Sequence, residues 1–329
     1  HGLHFYGLSE PTEALDDDLW ARLAQDAQTM TQTGEFVSLR GFEAKTNDGL
    51  SLAIYGTTAL PVGAPDSLRG WLAARPQAVG LLTSPVALPL ELSLSTNLAA
   101  FQIGQVGRTY QRYEDVYLAL LRDGWKTAPF LSATANHEWG SVPLYTGLVA
   151  QTLTLESLLD ALRARRAFAT EDVNLSLVLR GNDGWMGSHL PAAAALDLSL
   201  VYRDADGEPV TLELYDGEAL LARETFDGRQ EVIWTFPWVA APGHYYYGRA
   251  IQTDGNLAWT APLWVTGEAE LAEVRLNEVL PAPKDIDWDG SGVADLEDEW
   301  VELYNPGPAP LTLGNWQLSD LAAIYVIPQ

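Results

Sequence analysis

The sequence predicts a multidomain chain in which an α/β part is followed by all-β parts. Up to about residue 172, strand-length apolar runs alternate with stretches whose apolar positions recur at helical spacing. From Val173 onward the runs are strand-like, and Asp-Gly turns at Asp206, Asp216, Asp227 and Asp254 separate many of them. The length of 329 residues suits two or three domains of about 100 to 200 residues each, and 47% hydrophobic residues supply their cores.

Taken in order, residues 4 to 9 form an expected strand, and Asp16 to Asp18 open a helix with Leu19, Trp20, Leu23, Ala27 and Met30 on one face. Gly34 stops that helix. A second strand runs from Glu35 to Phe42 and ends at Glu43, a third from Ser51 to Gly56 and a fourth from Ala78 to Thr83, with a short helix at 66–74 closed by Pro76. A helix over 113–122 and a strand over 128–132 follow, the strand leading out to His137. Thr154 then caps a helix with Leu155, Leu158, Leu159 and Leu162 in line and Arg163, Arg165 and Arg166 near its negative end. The β-rich part covers 173–266, residues 267 to 272 form a linker, and a third segment covers 273–329.

Charge limits the partners. With 44 acidic and 19 basic residues the formal charge is -25 and the pI near 4.3, a surface that repels nucleic acid and anionic lipid and attracts cations. No window is long and apolar enough for a transmembrane helix, and no charged segment followed by an apolar run marks a signal peptide. There is no cysteine, so disulfides, thiolate nucleophiles and cysteine-bearing zinc sites are excluded together.

Several pieces together carry a resemblance. They are Gly2-Leu-His-Phe-Tyr-Gly-Leu-Ser-Glu-Pro11, Gly41-Phe-Glu43, Val79-Gly-Leu-Leu-Thr-Ser-Pro85, Thr134-Ala-Asn-His137, Ala161 to Thr170, Tyr245 to Gln252 and Ala258 to Val265. In order and spacing, residues 1 to 266 resemble the CehA/McbA-type branch of the PHP (polymerase and histidinol phosphatase) metallohydrolases. The resemblance implies a PHP-like βα barrel over 1–172 whose N-terminal part lies upstream, followed by an immunoglobulin-like β-sandwich over 173–266.

The departures from the family pattern concern its metal ligands. Where the family has the Asp-His of "TDH", this chain has Glu10-Pro11; the histidine of "NHP" is Ser84; the aspartate of "SDNH" is Ala135. A further histidine is replaced around Leu50-Ser51, and no His-x-His is present. What the resemblance leaves is a remnant divalent-metal site for Mn, Zn or Fe made of Glu10, Glu43 and His137, with no residue assigned as catalytic. The alternative for His137 is packing beside Trp139.

Leu276 to Pro283, Asp287-Trp-Asp-Gly290, Asp298 to Pro306 and Leu313 to Asp320 resemble the first half of a lamin-tail domain, a partial β-sandwich over 273–329. In that segment Asp285, Asp287, Asp289 and Asp295 alternate around Gly290 as in the front of a calcium loop; the position of the bidentate glutamate is Leu296. The alternative is an acidic surface turn. Trp234, Trp238 and Tyr245 to Tyr247 offer aromatic faces for a carbohydrate, or else core.

The expected function is that of a non-catalytic or weakly metal-binding scaffold, extracellular or on a bacterial cell surface, with a protein or carbohydrate partner. The alternative is a working metal-dependent phosphoesterase or related hydrolase completed by an upstream His-x-His.

Overall fold

Seven strands of the first half pair into one mixed sheet: β1 (Phe5–Pro11), β2 (Val37–Lys45), β3 (Ser51–Tyr55), β4 (Val79–Leu82), β5 (Leu98–Val106), β6 (Tyr110–Arg112) and β7 (Ala128–Ser132). They run in the order β1-β2-β3-β4-β5-β6, with β7 also on β5. The structure, a computed structural model, describes residues 3–45, 51–60, 71–72, 74–83, 97–106, 110–132, 144–191, 196–266, 274–281, 286–288, 290–295, 298–305, 313, 316–319 and 324–327.

This sheet corrects the expected barrel. A closed βα barrel needs parallel neighbours with a crossover between successive strands. Here β2–β3, β3–β4 and β5–β6 are antiparallel, while β1–β2, β4–β5 and β5–β7 are parallel. Residues 46–50 alone join β2 to β3, far short of the dozen or more that a parallel crossover requires. Among the described residues three α-helices, α1 (Asp17–Met30), α2 (Glu114–Arg122) and α3 (Leu155–Arg163), accompany twenty-three strands, so the chain is mostly β.

The helices α1, α2 and α3 form where the sequence places them, and the expected helix at 66–74 lies, but for residues 71, 72 and 74, outside the described residues. The Asp16 carboxylate accepts from Leu19 N at 2.7 Å at the start of α1, and Thr154 Oγ1 accepts from Ser157 N at 3.3 Å at the start of α3. Each turns its apolar face inward: Trp20 from α1; Tyr117, Leu120 and Leu121 from α2; Leu158, Leu159, Ala161 and Leu162 from α3.

Downstream come β8 (Tyr145–Leu148), β9 (Ala167–Thr170), β10 (Leu175–Gly181), β11 (Gly184–Trp185), β12 (His189–Pro191), β13 (Leu196–Asp204), β14 (Val210–Asp216), β15 (Ala219–Phe226), β16 (Glu231–Trp238), β17 (Tyr245–Gln252), β18 (Leu257–Thr260) and β19 (Leu263–Thr266). They build a four-stranded sheet, β11-β10-β13-β16, and an eight-stranded sheet, β12-β19-β17-β18-β9-β8 with β14 on β17 and β15 on β14. Leu177, Leu179, Leu198, Leu200 and Tyr202 of the first sheet pack with Leu212, Leu214, Tyr246, Ala250 and Leu263 of the second, which is the interior of a β-sandwich.

That interior does not stop at residue 173. The same cluster includes Val37, Leu39, Tyr55, Val79 and Leu158, Leu159 and Leu162 of α3, and β8 and β9 lie in the eight-stranded sheet, while Leu155, at the start of α3, is exposed. Residues 1–265 accordingly form one unit, within which the expected boundary at 172/173 falls. A second cluster, with Trp20, Phe42, Phe101, Tyr117, Trp259 and Trp264, fills the other face of both large sheets.

Residues 266–329 form a separate unit. Its described strands are two antiparallel pairs, β20 (Arg275–Leu280) with β21 (Trp300–Tyr304) and β22 (Gln317–Ser319) with β23 (Ile324–Val326). Among the described residues no helix is long and apolar enough to cross a membrane.

Candidate functional site

The register of β1 on β2 places two of the three residues of the expected metal site. Glu10 pairs with Phe42, and Glu43 pairs with Pro11. Register partners share a face and successive residues alternate, so Glu10 lies on the Phe42 face and Glu43 on the opposite one. Phe42 belongs to the cluster around Trp20, while Leu39, two turns of the pleat before Glu43, belongs to the sandwich cluster. The two carboxylates therefore leave the sheet in opposite directions. Glu43 instead accepts the Ser51 hydroxyl, next to Tyr55, whose phenol is pushed up to about 12 chiefly by burial. His137, Ser84 and Ala135 lie outside the described residues. Among the described residues no three His, Cys, Asp or Glu side chains gather as a metal site would need.

In the acidic loop of the second unit, Asp285 and Asp289 lie outside the described residues. Asp287 Oδ1 accepts from Ser291 N at 3.0 Å and its Oδ2 from Gly292 N at 2.7 Å. Gly290 and Gly292 take φ of +76° and +95°, which the tight turn requires. Asp295 enters through its backbone: its N–H donates to Asp298 Oδ2 at 2.9 Å, while Asp298 Oδ1 accepts from Trp288 N at 2.5 Å. The buried Asp298, absent from the sequence-derived set, is thus the carboxylate that draws the ends of the loop together.

The most heavily ionic site among the described residues was not legible in sequence. Glu213 on β14 is paired in register with Arg223 on β15 and with Arg249 on β17, and Arg249 with Trp259 on β18, so these side chains form one row across the sheet. The Glu213 side chain is fully buried. Its Oε1 accepts from Arg223 Nε at 2.7 Å; its Oε2 accepts from Arg249 Nε at 2.8 Å and from the Tyr215 hydroxyl at 2.7 Å. Arg249 reaches on to Glu114 Oε1 of α2 at 2.7 Å, where Trp259 Nε1 also donates at 3.0 Å. Tyr215 and Tyr247 stack beside the row with ring centroids 4.8 Å apart.

Burial works against the Glu213 carboxylate, but the Tyr215, Arg223 and Arg249 hydrogen bonds outweigh it and the carboxyl lies below its ordinary range. Arg249 shows the mirror image: burial opposes its charge, and Glu114 and Glu213 more than restore it. The Glu171 carboxylate accepts from Arg112 Nε at 2.6 Å, Arg112 Nη2 at 2.5 Å, the Tyr110 hydroxyl and Leu257 N at 2.9 Å. Charges paired in this way tie strands to one another and to a helix.

The aromatic residues divide. Tyr246 and Tyr247 are core. Trp234 and Trp238, with Phe226 and Phe236, form a ladder of ring contacts 6.0 to 6.4 Å apart beside the β15 and β16 strands.

No protein-family model matches the chain. A Chlamydia pneumoniae protein described as uncharacterized, CPj0512/CpB0533, is 29% identical over 147 residues, which cover 37% of this chain and 23% of that protein. The chain therefore spans less than a quarter of the length of the curated relative it matches. Two structures of the CARDB domain of PF1109 from Pyrococcus furiosus are similar at 14% and 15% identity, each with a TM-score of 0.22, covering 29% and 28% of this chain and 96% and 87% of theirs. An engineered protein is similar at 14% identity and a TM-score of 0.21, over 57% of this chain and 48% of its own.

Proposed function

We propose that this chain is a non-catalytic scaffold, extracellular or on a cell surface, whose β-rich units present an acidic surface to a protein or carbohydrate partner. The observation that carries the reading is the engagement of the deep carboxylates of the first unit. Glu213 and Glu171 are saturated by arginine, tyrosine and backbone donors, and Glu43 is turned away from Glu10. Hydrolysis of a phosphoester at a divalent metal would need an open, convergent set of ligands. The net charge of -25 favours cations and basic partner surfaces over nucleic acid.

The test is direct. The purified chain, loaded in turn with Mn²⁺, Zn²⁺ and Fe²⁺, is assayed on a generic phosphodiester, and no turnover above the metal-only control is expected. Turnover that disappears in both Glu43→Ala and His137→Ala would overturn the proposal.

A further inference from the structure

At the edge of the first sheet, between α1 and α3, lies a slot of about 660 Å³. Its floor is the β2 edge from Ser38 to Arg40. β3 covers that edge only from Gly41 onward, because the chain turns away at Gly56, where φ is +76°. Gln32 and Phe36 exchange backbone hydrogen bonds of 2.8 Å and close the other end. Val37 N donates to His4 O on the β1 side, so by strand alternation Arg40 sends its backbone N–H and C=O into the slot, where they meet no partner among the described residues. An edge closed at both ends after so few residues takes a compact ligand and leaves no path for a strand to run through.

Charge sets the slot apart from the rest of the surface. In a chain with 44 acidic and 19 basic residues, Arg40 is the only charged residue on the described walls. Trp20 holds it in place: the guanidinium carbon lies 3.6 Å from the indole ring, and Nη1 donates to Trp20 O at 2.7 Å. The Nε and Nη2 donors meet no acceptor among the described residues. Burial holds the arginine below its ordinary range, with no carboxylate to offset it. The same tryptophan fixes the far wall, since its Nε1 donates to Thr58 O at 2.8 Å.

The remaining walls are neutral. Gln28, Thr33, Thr57 and Thr58 supply polar side chains; Ala27 and Leu159 supply apolar ones, with Leu155, 48% exposed, at the rim. A guanidinium with donors to spare matches the planar fork of a carboxylate. One positive charge balances a monoanion, whereas a phosphate dianion would be left partly uncompensated. Hydroxyl and amide groups on one side and leucine and alanine on the other suit a ring that carries hydroxyls on its edge and C–H groups on its face.

We propose that this slot binds a hexuronate, the carboxylate-bearing unit of an acidic carbohydrate, with Arg40 on the carboxylate and Trp20 positioning Arg40. The proposal rests on the scaffold reading for its carbohydrate partner, but that reading is tested by turnover, so a failure here strikes the slot alone. The full chain is titrated by calorimetry with sodium glucuronate, with glucose and with inorganic phosphate. Glucuronate should bind saturably, and glucose and phosphate each at least about tenfold more weakly, the equivalent of one charge-assisted hydrogen bond. Arg40→Gln should weaken glucuronate by at least about tenfold. Leu155→Glu places a carboxylate at the mouth, on an exposed first helical position where an acidic residue is well tolerated. It should keep the thermal midpoint of the parent and lose glucuronate binding, which decides the matter even where Arg40→Gln disturbs the Trp20 stack. No saturable heat with glucuronate, glucose or phosphate binding as tightly, or an unchanged glucuronate affinity in Leu155→Glu would each overturn the proposal.

Discussion

Glu213 and Arg249 face each other across the antiparallel pair β14 and β17, joined by an Arg249 Nε to Glu213 Oε2 hydrogen bond of 2.8 Å, with the Glu213 side chain wholly out of solvent. Arg249 is the less exposed of the two arginines on this carboxylate: 20% against 56% for Arg223. Removing one partner of a buried pair leaves an uncompensated charge. Arg249→Ala should therefore cost about 3–5 kcal/mol, whereas Arg223→Ala, whose guanidinium is largely solvated, should cost about 1 kcal/mol or less. Urea unfolding of the two variants side by side checks the ranking.

The same carboxylate makes the acid limb of stability predictable. Its folded value is depressed, so the stabilisation it gives is fully present above the unfolded value of about 4.3 and is lost as pH falls through the folded one. Urea midpoints should change little on its account from about pH 7 to 5 and fall below about pH 4. Glu213→Gln should be less stable at neutrality and show a shallower acid limb.

Gly248 on β17 backs onto Leu200 of the facing sheet, and a Cβ added there would run into the Leu200 methyls. Gly248→Ala should destabilise by about 1–3 kcal/mol through overpacking. Shortening Leu200 to alanine in the same chain should cost less than the sum of the two single changes, a coupling that a double-mutant cycle reads directly.

Glu43 and Glu10 separate packing from metal binding. Glu43→Ala removes the acceptor of the Ser51 hydroxyl and should cost about 0.5–1.5 kcal/mol. Glu10→Ala, half-exposed and on the other face, should stay within about 0.5 kcal/mol of the parent. Metal content after loading with zinc or manganese, measured by elemental analysis, should be the same in both variants and the parent.

Much of the fold was legible. The first four strands, α2, the capped α3 and most strands of the sandwich lie within a few residues of their expected places. The barrel was not, because alternation of strand and helix does not specify strand direction. The Asn47-Asp48-Gly49 sequence between β2 and β3 held the missing information: a connection that short makes a hairpin. The central strand β5 escaped notice because Leu98-Ala-Ala-Phe-Gln-Ile-Gly mixes alanine, glutamine and glycine with its apolar residues and has neither the alternation nor the β-branched content that marks a strand. For the sites, residue identity was readable but register was not. Glu10 and Glu43 are both at strand ends, yet a shift of one position across β1 and β2 puts them on opposite faces. The row Arg223, Glu213, Arg249 and Trp259 comes from four strands and exists only once they are aligned.

One buried cluster runs from Val37 and Val79 through α3 into Leu177, Leu200 and Leu263. A gene cut between the α/β layer and the sandwich would therefore bare the inner face of each piece. Residues 1–265 hold together as a single block, and a break within them yields two sticky halves rather than two proteins.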